Sequence, residues 1–203
     1  MKLLIDTDAF CKLTIGGVFD DAIRLLGAQR SECGRLSALP FMLSKGKLVS
    51  RYGRGTCATL RGIALNIPEM VQATIGCLEP FNQIEDIHVG EAQLFASATE
   101  FGCQVLTGDK RALRALQAAT DLHAGLSGRI VAMEAILIAL CDSLSPKEVF
   151  QRVQPLIVTD DMFRVCFSNP KQDPRTCLRS YFGALTTQVA PLVLWQPPPG
   201  GKK

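Results

Sequence analysis

Three acidic residues stand where a parallel α/β sheet would gather them. Asp6 ends the apolar run Leu3-Leu4-Ile5, Asp109 ends the run VLTGD at 105–109, and Glu91 lies in the first turn of a predicted helix just ahead of that second run. In an open parallel sheet, ligands bind beyond the carboxyl ends of the strands. Right-handed crossovers bring those ends to one side of the sheet. Carboxylates gathered there repel one another, and burial raises their pKa values. A hard divalent cation resolves the conflict, because Mg²⁺ and Mn²⁺ favour oxygen ligands. Asp8 is a fourth candidate ligand, although its position also suits it to capping the helix that follows.

The elements that must position these residues read as alternating strands and helices. Leu3, Leu4 and Ile5 form a buried strand, and a helix follows until Gly16-Gly17. Asp20-Asp21 opens a second helix that stops near Gly27. The run 35–43 contains Pro40 and reads as an edge strand or a loop, since proline cannot donate in a central ladder. The segment 44–55 reads as a basic loop leading into a helix at 57–65, and Pro68 suits the first turn of a helix over 69–77. Val89, Ala92, Phe95 and Ala98 recur at helical spacing, predicting a helix over 90–100 that Gly102 stops. Residues 104–106 form a strand, 110–119 a helix, 129–133 a strand and 134–140 an apolar helix in which Glu134 reads as a surface residue. This alternation predicts βαβ units and a parallel sheet. Beyond about residue 142 it gives way to helical segments at 146–154, 160–167 and 176–190. The expected organisation is a domain over 1–142, a helical C-terminal extension over 143–192 packed on it, and a flexible tail over 193–203 that includes QPPPGGKK.

Bulk properties narrow the field. The chain has 203 residues, 47% of them hydrophobic, which suffices for a sizeable core. A net charge of +3 is too mild to announce a nucleic-acid binder. The eight cysteines include no C-x-x-C pair and there are only two histidines, which argues against a zinc cluster. Cys103, Cys141 and Cys166 lie in apolar runs and read as small buried hydrophobes. His88 and His123 are isolated in the sequence. Nothing reads as a signal peptide, a membrane span, a dinucleotide fingerprint or a P-loop. The expectation is a reduced, cytoplasmic protein. A basic run with Lys45, Lys47, Arg51, Arg54 and Arg61 is placed to contact phosphates, with Tyr52 available to stack on a base.

LLIDTDAF at the N-terminus, DIHVGEAQLFASA at 86–98, VLTGDKRAL at 105–113 and GRIVAMEAIL at 128–137 together resemble the PIN-domain family. The resemblance covers roughly the first 140 residues. It implies a three-layer α/β/α fold around a central parallel sheet. It also implies a Mg²⁺- or Mn²⁺-dependent endoribonuclease, most often acting on single-stranded RNA. Many small bacterial members are toxins of toxin–antitoxin pairs, so an antitoxin or other protein partner, or a homodimer, is among the expectations. By motif position, Asp6, Glu91 and Asp109 match the family carboxylates, and Thr107 the small hydroxyl residue that often precedes the last of them. Lys110, Arg111, Lys45 and Arg51 become candidates for contacting the phosphate backbone. The implied chemistry is metal-assisted phosphodiester hydrolysis. The chain departs from the family in lacking an acidic residue on the middle helix, since Glu69 is the only acid in 48–75. Asp8, Asp20 and Asp86 are the candidate substitutes.

Two other readings follow from the same residues. A PIN-like fold short of one acid can serve as a non-catalytic binding scaffold. Asp6-Thr7-Asp8 after a strand also resembles the nucleophile motif of haloacid-dehalogenase-like phosphatases, although the paired acidic motif of that family has no counterpart downstream of Lys110.

Overall fold

A computed structural model describes residues 1–198. Four short strands, β1 (Leu3–Ile5), β2 (Cys33–Arg35), β3 (Gln104–Thr107) and β4 (Ile130–Ala132), pair in parallel in the order β2-β1-β3-β4. All but Gln104 of their residues are buried. Burial on both faces is why β1 and β3 read as unbroken apolar runs rather than alternating ones.

Helices fill the connections. In chain order they are α1 (Thr7–Ile15), α2 (Phe19–Leu25), α3 (Leu39–Met42), α4 (Lys47–Tyr52), α5 (Arg54–Ala64), α6 (Ile75–Asn82), α7 (Val89–Phe101), α8 (Lys110–Gln117), α9 (His123–Leu126), α10 (Met133–Ser143), α11 (Pro146–Arg152), α12 (Asp161–Phe167) and α13 (Pro174–Val189). The chain is thus an α/β protein with an all-parallel sheet. Gly102 ends α7 in the left-handed conformation, at φ 69°, that glycine adopts without a Cβ penalty.

The helices after residue 142 follow their capping residues. Ser145, Asp160 and Asp173 accept backbone N–H donations from Glu148 at 3.1 Å, Phe163 at 3.1 Å and Arg175 at 2.9 Å. Leu178, Phe182, Leu185 and Val189 share one buried face of α13, which packs along α10 and α8. Val149, Val153, Leu156, Phe163, Phe167 and the buried face of α13 join the same core as the sheet.

Several expectations need correction. The helix anticipated over 69–77 begins only at Ile75, because the segment before it is drawn to the sheet. Arg35 N donates to Pro68 O at 3.0 Å and Met70 N to Arg35 O at 2.9 Å, and this long-range pairing overrides the local helix signal. The run 35–43 supplies the last residue of edge strand β2 and then α3, with Pro40 in its first turn. Much of the basic loop at 44–55 is helical, as α4. Asp8 does not cap α1; Asp6 holds the N-cap position, without a side-chain capping bond. Residues 193–195 of the anticipated tail are held against the rest of the chain. Gly128 N donates to Val193 O at 2.7 Å, Trp195 N donates to Ile130 O at 2.8 Å, and Leu194 is buried. Residues 199–203 of the anticipated tail lie outside the described residues.

Candidate metal and phosphate cleft

Asp6 follows β1 directly, and its backbone N–H donates to Leu106 O at 3.0 Å. That bond ties the end of β1 to the end of β3, so Asp6 and Asp109 meet on one side of the sheet. Glu91 arrives from the first turn of α7. Asp6, Asp8, Glu91 and Asp109 line one open cleft of about 470 Å³, together with Lys12, Arg51, Gly108 and Lys110. At Gly108 a side chain would intrude, since a Cβ there would stand 3.2 Å from Asp8 Oδ2.

The electrostatics are strained. Burial, reinforced by the charges of Asp8, Glu91 and Asp109, pushes the Asp6 carboxyl up to about 7. Glu91 is also raised, first by burial and then by Asp109, against the opposing pull of its own backbone N–H. Glu91 Oε2 is buried without a hydrogen-bond partner. Neither Asp6 nor Glu91 has a basic side chain in ion-pair contact among the described residues.

Asp109 has a structural duty as well. Its Oδ1 accepts the backbone N–H groups of Arg111 at 2.9 Å and Ala112 at 3.0 Å, capping α8. The Asp109 N–H in turn donates to Thr107 Oγ1 at 3.1 Å. Thr107 is buried, and its hydroxyl takes part in the turn that leads to Asp109.

Asp8 is engaged by cations. It pairs with Lys12, four residues on along α1, and its Oδ1 lies 3.3 Å from Arg51 Nη1. Lys45 does not line the cleft and lies over the Phe41 ring, 4.3 Å from its centroid. Lys110 lines the cleft while its Nζ sits 2.5 Å from Glu134 Oε1. Glu134, expected at the surface, is 1% exposed, because the α10 segment that carries it lies in the core.

The candidate substitutes for the middle-helix acid other than Asp8 lie elsewhere. Asp20 is held by Arg30 at 2.6 Å beside a different cavity. Glu69, the lone acid of 48–75 and not one of those substitutes, pairs with Arg35 at 3.5 Å and does not line the cleft either. Asp86 is at positive φ, 68°, and does not line the cleft. Lys12 lines this cleft and pairs with Asp160, and neither stood out in the sequence as a site residue. The spacing of Asp8 and Lys12, i and i+4 on one helix, is the signal that was there to be read.

Among the described residues, no group of three or more His, Cys, Asp and Glu side chains is arranged to hold a metal ion. The chemistry of the donor set nevertheless suits a hard cation. It is all oxygen, burial and then the neighbouring carboxylates raise the Asp6 and Glu91 pKa values, and it contains one buried carboxylate oxygen without a partner.

Compared with models of protein families, with curated proteins and with solved structures, the chain matches none. Of the described residues, no helix is long and apolar enough to cross a membrane.

Proposed function

We propose that this chain is a PIN-like α/β/α endoribonuclease that hydrolyses single-stranded RNA with Mg²⁺ or Mn²⁺. The observation that carries the proposal is the convergence of Asp6, Glu91 and Asp109 on one cleft at the carboxyl ends of adjacent strands. Asp6, Glu91 and Asp109 would hold the cation. A divalent ion bound there supplies Lewis-acid polarisation of a phosphoryl oxygen and acidifies water. Asp6 is fixed by the β1–β3 ladder, and Asp109 by its two capping bonds, so both present their carboxylates from rigid backbone. Arg51 and Lys110 bring positive charge to the same cleft and favour a phosphodiester over a neutral substrate.

The test is cleavage of an unstructured RNA across a Mg²⁺ and Mn²⁺ titration by wild type and Asp6→Asn. The expected result is metal-dependent cleavage by the wild type and none by the variant; equal cleavage by both would refute the mechanism. A second reading, a non-catalytic scaffold of the same fold, draws support from the lack of an arranged three-donor group among the described residues. A thermal shift with Mn²⁺ separates the two. Ligands that bind only the native state stabilise it, so the nuclease reading requires a shift that disappears in Asp6→Asn.

A further inference from the structure

The cleft continues past the carboxylates into a neighbouring cavity of about 360 Å³, walled by Thr159, Asp160, Asp161 and Met162 of the C-terminal extension. Lys12, Arg51, Gly108 and Lys110 line both cavities, so they stand where the two adjoin. Lys12 is 8% exposed, an unusual degree of burial for a lysine. It is fixed from two sides, by Asp8 on its own helix and by Asp160 Oδ2 at 2.6 Å from the N-cap of α12. Arg51 spans the same pair of acids. Its Nη1 is 3.3 Å from Asp8, its Nη2 is 3.7 Å from Asp160, and Nη2 donates to Thr159 O at 2.8 Å.

An ammonium has three donors. The two carboxylates account for two of those on Lys12, and the residue borders open space on both sides. Burial alone would lower its pKa, but the neighbouring Asp8 charge and the bonds to Asp160 and Asp8 reverse this and raise it, so the side chain stays charged. Such a cation, held in one place beside crowded carboxylates, costs little further ordering when it meets an anion.

We propose that Lys12 is a phosphate-binding residue that gives its third N–H to a backbone phosphate of RNA at the junction of the two cavities. Asp160, delivered by the C-terminal extension, is the residue that positions it. The extension is thereby a wall of the substrate cleft. This assignment rests on the ribonuclease reading for the identity of the polyanion, but binding is measured without catalysis.

The experiment is fluorescence anisotropy of a short labelled oligouridylate with wild-type protein in EDTA, repeated across a salt series, with Mg²⁺ and Mn²⁺ cleavage assayed in parallel. Lys12→Met is expected to weaken binding about tenfold or more, the loss of one charge-assisted hydrogen bond. It should also make the slope of log affinity against log salt shallower by about 0.7, the share of one phosphate contact on a single strand. Asp160→Asn keeps an oxygen to cap α12 and is expected to weaken binding several-fold, with Asp160→Glu restoring it. If Lys12→Met alone does not fold, the double variant Lys12→Met/Asp160→Asn removes both charges together and is read in its place. Unchanged affinity and salt slope in the Lys12 variant, or no binding by the wild type, overturns the assignment. Lys12-dependent binding without cleavage in either metal upholds the assignment and defeats the ribonuclease reading. Cleavage with Lys12-independent binding does the reverse.

Discussion

Lys110 Nζ lies 2.5 Å from Glu134 Oε1, and the two partners differ sharply in their access to water. The Lys110 side chain is 29% exposed while that of Glu134 is 1% exposed. Their removal is therefore not symmetrical. Lys110→Met leaves a buried carboxylate without its cation, at a cost of about 3–5 kcal/mol. Glu134→Gln leaves a lysine that can turn to solvent, at a cost of about 1–2 kcal/mol. Urea unfolding of the two variants checks the order, and a more damaging Glu134→Gln would contradict it.

Asp6 predicts a pH dependence with a definite sign. Its folded pKa of about 7 lies above the ordinary value of 3.8, so the folded state holds this proton more tightly than the unfolded chain. Asp6 costs no stability below pH 3.8; its penalty grows as pH rises toward 7 and is constant above that. In EDTA, the protein is expected to gain stability on acidification from pH 7.5 to 5. Asp6→Asn is expected to remove most of that gain and to stabilise the protein at pH 7.5 by a few kcal/mol, since each tenfold weakening of an acid on folding corresponds to about 1.4 kcal/mol. Denaturant melts at the two pH values measure this, and a variant less stable than wild type at pH 7.5 would count against it.

The double duty of Asp109 allows charge and cap to be separated. Asp109→Asn retains an oxygen for the N–H groups of Arg111 and Ala112, so its stability is expected to stay within about 0.5 kcal/mol of wild type. Asp109→Ala loses the cap and about 1 kcal/mol. Both are expected to abolish metal-dependent cleavage. Thermal melts and RNA cleavage on the same preparations provide the check, and an active Asp109→Asn would remove Asp109 from the metal site.

Gly108 is tested by its missing side chain. Gly108→Ala sets a methyl group 3.2 Å from Asp8 Oδ2, inside comfortable contact. The expected stability loss is about 1–2 kcal/mol, as for other small overpacking changes. Cleavage should fall further than that loss explains, because the displaced carboxylate is part of the cleft. Activity measured well below the melting temperature distinguishes the two effects, and full activity there would show that Asp8 tolerates movement.

Which parts of this site were legible in the sequence depended on how local the signal was. Asp6 and Asp109 each close an apolar run, and a buried parallel strand needs only its own residues to be recognised. Glu91 was placed by the helical spacing of its neighbours. Ser145 and Asp160 were recognisable as helix starts by residue type. The partnership of Asp160 with Lys12 was not, because it joins the first helix to the last third of the chain and leaves no periodic trace. Glu134 misled for a related reason: a charged residue in an apolar helix reads as its exposed face until its cation is found. The delayed start of α6 has the same origin, since the pairing of Pro68 and Met70 with Arg35 is a long-range bond competing with a local preference.

The two outer strands of the sheet are each met on their free sides at one residue, β2 at Arg35 by the segment around Glu69 and β4 at Ile130 by Trp195. Among the described residues, these contacts satisfy Arg35 N and O and Ile130 O, which leaves less of each edge open to pairing with a second chain. Self-association through continuous β-structure is thereby discouraged. A chain truncated before Trp195 is expected to leave the Ile130 carbonyl on that edge without its donor and to be more prone to edge-to-edge pairing.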